Sequence, residues 1–204
     1  ANLAATLALT GKRVVALSAD LRKPRLHRFF GQANEDGLSS ILAGQVQVAD
    51  VARRVEGLDS LRVVTSGPVP PNPAELLSSD EMELLLGHLR ATADYVVIDT
   101  PPALVVTDAM IVAPRVDGVV VVVDSDVTTG AAALHTVEQL EQVGAKVIGS
   151  VLNRFDPSKA RYYSRGGRYA YRYHYGYADS SAGDRGSNGK GQRAPAPTPD
   201  DVWR

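Results

Sequence analysis

Val96-Val97-Ile98-Asp99-Thr100-Pro101-Pro102 is a short apolar run that ends in a carboxylate and a stiff turn. The run reads as a strand, because it is apolar throughout and preceded by a helical pattern. An acid at the end of such a strand can hold Mg2+, directly or through water, against nucleotide phosphates. It can equally cap the turn that follows. Thr100-Pro101-Pro102 makes the first reading more specific, because it stiffens a loop that would face a phosphate.

Working outward, the same pattern repeats. Residues 14–17, 61–65, 118–123 and 146–152 are further apolar runs. Between them lie helical segments: residues 38–42 closed by Gly44, a face of Met82, Leu85, Leu86 and Leu89, residues 108–112, and a helix capped by Thr128 or Thr129 that turns Leu134, Val137 and Leu140 inward. Apolar strands separated by helices predict an α/β fold, a mostly parallel sheet covered by helices on both faces. In such sheets ligands bind beyond the carboxyl ends of the strands. The segments to examine are therefore 18–22, 66–68, 99–102, 124–126 and Asn153.

Composition narrows the class. A chain of 204 residues that is 44% hydrophobic fits one domain plus a tail. Zero Cys excludes a disulfide framework and a Cys-based metal site, and His27, His88 and His135 have no metal-ligand spacing. The longest apolar run is too short to span a bilayer and no signal peptide is seen, so a soluble, cytoplasmic chain is expected. Residues 2–10 read as a helix stopped by Gly11 but with no start signal. The expectation is a chain that continues upstream.

The net charge of −1 hides a basic stretch. Arg154, Lys159, Arg161, Arg165, Arg168 and Arg172 face a single acid, Asp156, before Tyr177. Tyr162, Tyr163, Tyr169, Tyr171, Tyr173, Tyr175 and Tyr177 crowd the same stretch, seven of the chain's 8 tyrosines. They are interleaved with Arg, Gly, Ser and His and have few aliphatic partners, so disorder is expected to the last residue. His174 reads as a spacer. Such phenols are good phosphoryl acceptors; Ser164-Arg165-Gly166-Gly167-Arg168-Tyr169 also looks like an RNA-binding Arg-Gly segment. Upstream, Asp20 and Arg22 follow the first strand. Alone they read as a surface ion pair, although a carboxylate there could bind metal or take a proton and a guanidinium could neutralise phosphate.

Together these pieces resemble the catalytic domain of the bacterial tyrosine kinases of capsule and exopolysaccharide export, relatives of the MinD/ParA ATPases in the P-loop NTPase superfamily. Asp20-Leu21-Arg22-Lys23-Pro24 is similar to the second half of that family's Walker A′ motif, and Asp99-Thr100-Pro101-Pro102 to its Walker B, with Thr107-Asp108-Ala109 after it. Gly37-Leu38-Ser39, Ser66-Gly67 and Pro71-Asn72-Pro73-Ala74-Glu75-Leu76-Leu77 recur in the family in this order. The resemblance covers residues 1–154. It implies a nucleotide-binding kinase domain over 1–155 that lacks its P-loop, truncated just before Ala1, and a Tyr/Arg/Gly-rich autophosphorylation tail over 156–204.

The resemblance further implies ATP and Mg2+ as cofactors. Asp99 and Asp20 are assigned to the metal, Asp20, Arg22 and Asp99 to catalysis, and Asn153 and Arg154 to the nucleotide, Asn153 as a base contact. The seven clustered tyrosines are the implied modification sites, phosphorylated between subunits of a ring. Implied partners are a membrane polysaccharide co-polymerase, further copies of the chain and a tyrosine phosphatase, with no nucleic acid, at the cytoplasmic face of the inner membrane. One departure stands out: the family pattern has two acids, whereas Ser18-Ala19-Asp20 has one. That leaves two alternatives, a MinD/ParA-type ATPase or a weakly active regulatory scaffold.

Overall fold

A computed structural model describes residues 1–156; the tyrosine cluster and the expected disorder of the tail lie outside the described residues. The chain runs α1 (Asn2–Leu9), β1 (Val14–Ser18), α2 (Leu26–Phe29), α3 (Leu38–Leu42), α4 (Val48–Val51), β2 (Arg53–Val55), β3 (Leu58–Val64), α5 (Pro73–Ser78), α6 (Asp80–Thr92), β4 (Tyr95–Asp99), α7 (Asp108–Val112), β5 (Val119–Asp124), α8 (Gly130–Gln142) and β6 (Val147–Asn153). The α/β class and the parallel pairing are as expected. β1 pairs in parallel with β3 on one edge and β4 on the other, and β5 pairs in parallel with β6.

β1 is the organising strand, buried at all five residues. Alternate side chains leave a strand on opposite faces, and β1 has a separate core on each. Val15 and Leu17 pack in one core with Leu38, Leu77, Met82, Leu85, Leu86, Leu89 and Val112. Val14 and Ala16 pack in the other with Ala4, Ala8, Leu26, Leu61 and Val63. Full burial of each large aliphatic is worth about 1.5–3 kcal/mol. The helices that supply these cores begin where local chemistry dictates. The Ser79 hydroxyl accepts from the Met82 amide to start α6, Thr129 does the same from Ala132 for α8, and Pro73 opens α5.

Four features depart from the sequence expectation. β2 pairs antiparallel with β3; its Arg-Arg-Val carries no apolar signal, and Gly57 at φ 75° makes the turn. The described strands form two sheets, β2-β3-β1-β4 and β5-β6. β6 and one face of β5 are largely exposed, with Val122 at 63% and Val151 at 51%. Leu134 also points outward on α8, leaving Leu140 as its buried anchor. An apolar run reads alike whether or not a face is covered, so the sequence could not distinguish these cases.

The family-like Gly37 and Gly67 have a packing reason. The Leu38 amide donates to Thr65 O and the Ser39 amide to Ser66 O, both at 2.8 Å, pressing two loops together. A Cβ on Gly37 would meet the backbone of Thr65 and Gly67. Gly67 also has φ +73°, a conformation that side chains disfavour. Gly37→Ala should therefore destabilise the fold by about 3 kcal/mol or more, read as a lowered urea midpoint, whereas Gly87→Ala on open surface should not.

Candidate functional site

The site is built by strand register. β1 and β4 pair residue for residue, which places Ser18 opposite Asp99, and the Ala19 amide extends the ladder by donating to Asp99 O at 2.7 Å. Parallel partners point to the same face. Ser18 follows Val14 and Ala16 on β1, and Asp99 follows Val97 on β4, so both belong to the α1 side of the sheet. Ser18 is 1% exposed, yet its hydroxyl has no hydrogen-bond partner among the described residues. A buried hydroxyl left unpaired costs about 1–3 kcal/mol.

Asp99 is open to solvent at its surface but sits low among protein atoms. Burial raises its carboxyl above the ordinary value, Asp20 adds to it, and Ala1 at the head of α1 lies nearby. The amino end of α1 is therefore close enough to act on Asp99. Asp20 is half-buried, and its Oδ1 accepts from the amides of Arg22 at 3.1 Å and Lys23 at 2.9 Å. That is a turn-capping role, but it uses one oxygen and leaves Oδ2 without a partner among the described residues.

Arg22 does not pair with Asp20 as the bland sequence reading had it. Its Nε and Nη2 form a two-pronged bond to Asp108, at 2.8 and 2.9 Å. Asp108 is wholly buried while the Arg22 side chain is 39% exposed. The bond to Asp108 raises the Arg22 pKa, desolvation opposes, and the Asp108 and Asp20 charges contribute further. Sequence reasoning recognised Asp108 in a family motif but missed this pairing. No local signal announces it, because the two residues lie 86 positions apart.

Asn153 and Arg154 lie elsewhere, at the end of the second sheet. Asn153 is exposed and in register with Asp124. Arg154 has φ 59°, and its Nη1 reaches Asp124 Oδ2 at 3.2 Å. Hydrogen bonding to the Asp126 amide holds the Asp124 carboxyl below its ordinary value, and Arg154 contributes. Arg154 is thus committed to Asp124, whereas the Asn153 side chain is open. The structure brings Ser18, Asp20 and Asp99 together on the first sheet; Asn153 and Arg154 stand on the second, and the seven tyrosines lie outside the described residues.

No three His, Cys, Asp or Glu converge on a metal site among the described residues. That suits Mg2+, which takes one or two carboxylates plus phosphates and water. Ser18, Asp20 and Asp99 fit such an ion: one raised carboxyl, one free carboxylate oxygen and one unpaired hydroxyl.

Comparison with known proteins bears on this geometry. CapB of Staphylococcus aureus, a tyrosine-protein kinase by name, is 34% identical over 168 residues, 81% of this chain and 73% of CapB. The chain belongs to the bacterial tyrosine-protein kinases. EpsB of Ralstonia nicotianae, another kinase by name, is 41% identical over 90% of this chain, which spans 24% of EpsB. The kinase domain of Escherichia coli Etk superposes with TM-score 0.70 at 36% identity, covering 76% of this chain and 62% of that one. MinD of Pyrococcus horikoshii matches with TM-score 0.63 at 20% identity, covering 79% and 68%, a likeness of fold. No protein-family model matches the chain.

Asp99 has a measurable signature. With its carboxyl raised in the fold, the contribution of Asp99 is favourable at low pH and is lost as pH rises above the ordinary value of 3.8. Asp99→Asn should therefore melt higher than the parent at pH 7 in metal-free buffer, with the difference closing toward pH 4. Circular dichroism melts at the two pH values check this.

Proposed function

We propose that this chain is the catalytic body of an ATP-dependent protein-tyrosine kinase. Its carboxylate site would transfer a γ-phosphoryl group to clustered tyrosines. The observation that carries the reading is the pairing of Ser18 with Asp99 beside Asp20, close to the amino end of α1. The MinD neighbour from Pyrococcus horikoshii was solved with Mg-ADP, which supports magnesium nucleotide as the ligand. When bound, that ligand supplies the phosphoryl group and the divalent charge that screens it.

The chain's own residues then have distinct tasks. Asp99 would hold the cation, whose charge would favour the ionised form of its raised carboxyl. Ser18 stands where an acid is expected and offers a neutral hydroxyl, so charge at the cation rests on Asp99 and Asp20. Asp20 Oδ2 orients the phenol and accepts its proton. A phenol pKa near 10 demands little base strength, so positioning dominates. Arg22, tied to Asp108, holds the loop that carries Asp20 in place and lends positive charge. Asn153 would contact the nucleotide base from the second sheet, with Arg154 braced beside it on Asp124.

Tyr162, Tyr163, Tyr169, Tyr171, Tyr173, Tyr175 and Tyr177 are the proposed acceptors, presented by one subunit of a ring to the next. Each phosphate adds about −1.5 to −2 charges to a basic segment. That change would signal to a membrane polysaccharide co-polymerase at the cytoplasmic face of the inner membrane, and a tyrosine phosphatase would reverse it. Among the described residues no helix is long and apolar enough to cross a membrane. The CapA2B2 chimera, 38% identical with TM-score 0.72, supports a kinase of this type acting with a second component.

The complete protein, incubated with ATP and Mg2+ and its activator, should acquire phosphotyrosine. Asp99→Asn should reduce labelling on the order of 100-fold. Replacing the seven tyrosines with Phe should abolish it and leave nucleotide binding intact. Nucleotide hydrolysis without tyrosine labelling would favour a MinD/ParA-type ATPase, and neither activity would favour a scaffold. A second contrast concerns the ion pair. Arg22→Ala strands the buried Asp108 charge and should lower the melting temperature by several degrees, more than Asp108→Asn does.

A further inference from the structure

The loop that leaves the carboxylate site carries positive charge that the chemistry above does not use. Lys23, Pro24, Arg25, His27, Arg28 and Asn34 line an open depression of ≈ 450 Å³, within the roughly 300–1,000 Å³ of small-molecule sites. Lys23, Arg25 and Arg28 are exposed, and none has an acidic partner among the described residues. His27 adds a buried Nδ1 with no hydrogen-bond partner among those residues. Asn34 is a fixed wall, because its amide bonds Gly67 O at 2.8 Å and its carbonyl accepts from Gly67 and Ser66. The depression adjoins the acidic site directly: the Lys23 amide donates to Asp20.

We propose that this depression is a binding site for a phosphate monoester, namely a phosphotyrosine from residues 162–177. This rests on the tyrosine-kinase reading and adds a destination for its product. Unpartnered cations on a loop make an anion site, and Arg binds phosphate through paired, charge-assisted bonds. Charge decides which anion. Residues 162–177 contain Arg165, Arg168 and Arg172 and no acid, so the unmodified segment is repelled by Lys23, Arg25 and Arg28 and drawn instead to Asp20 and Asp99. Each phosphate brings about −1.5 to −2 charges, so two of them cancel the segment's positive charge and a third reverses its sign. A modified tyrosine is thus expelled from the carboxylates and received by the neighbouring basic depression, which clears the acidic site for the next phenol.

The test uses the full chain and synthetic peptides of residues 162–177, one unmodified and one phosphorylated at Tyr169 and Tyr171. Inorganic phosphate and ADP serve as further probes. Calorimetric titration should show binding of the phosphopeptide that weakens roughly tenfold or more in Arg25→Ala/Arg28→Ala, whereas binding of the unmodified peptide at the carboxylates should be the same in parent and variant. The variant should keep the parent's melting temperature, since both side chains are exposed; Arg25→Lys/Arg28→Lys should recover part of the affinity. Equal binding of the phosphopeptide by the Ala variant would overturn the proposal, as would its failure to bind the parent. Dependence on Arg25 and Arg28 shown by ADP and not by the phosphopeptide would assign the depression to nucleotide and overturn it too. The peptides are made chemically, so a chain that never labels its own tyrosines can still pass or fail this test.

Discussion

Ser18 and Asp99 stand side by side because β1 and β4 pair one to one over five residues in parallel. A slip of one residue would turn Asp99 to the opposite face and seat a carboxylate among the aliphatics of α6. The slip is prevented by the two cores that β1 serves. Val15 and Leu17 must face the α6 side, Val14 and Ala16 the α1 side, and neither set can move without exposing the other. The chemistry at the end of β1 is therefore fixed by packing far below it. The cost appears at Ser18, whose buried hydroxyl has no partner among the described residues; unsatisfied polar groups of this kind persist where a ligand completes them.

A second constraint acts at right angles to the strands. The loop after β1 could swing freely, but Arg22 fastens it to Asp108 at the start of α7. A buried ion pair is weak evidence for stability, because desolvation offsets much of the attraction. Its value here is geometric. Two parallel bonds fix the guanidinium plane and with it the backbone that caps on Asp20. α7 in turn sits on α5, and Val112 joins the core that holds Leu17. Loop, helix and strand are thus one mechanical unit, and the carboxylates keep their spacing without depending on each other.

Much of this was legible in the residues. The apolar runs gave all the parallel strands, and α7 was read to its ends from Asp108 and the residues after it. The carboxylate at the end of β4 was found because strand ends are where parallel sheets place chemistry. What escaped detection was long-range. β2 is three residues with two arginines, a strand made by its turn and its neighbour rather than by its own pattern. The Arg22–Asp108 pair spans 86 positions, and nothing local in either segment announces the other. Asp20 and Arg22 looked like partners because they are close in sequence; each instead bonds away from the other's side chain. Leu134 was placed inward on period alone, and the structure shows α8 seated through Leu140.

The electrostatic layout follows from the same loop. Within the residues from Asp20 to Arg28 the chain passes from a carboxylate through Arg22, whose charge is spent on Asp108, to three exposed cations without such a sink among the described residues. Acidic and basic sites therefore adjoin within one short segment while the chain's net charge stays at −1. Screening at physiological salt limits exposed charges to a reach of about 8 Å, so a segment docked at one site feels mainly that site's sign. A long-range field could not sort modified from unmodified tyrosines on a nearly neutral protein. Two small neighbouring patches of opposite sign can, because the segment's own charge changes when it is phosphorylated and the nearest patch then changes from attractive to repulsive.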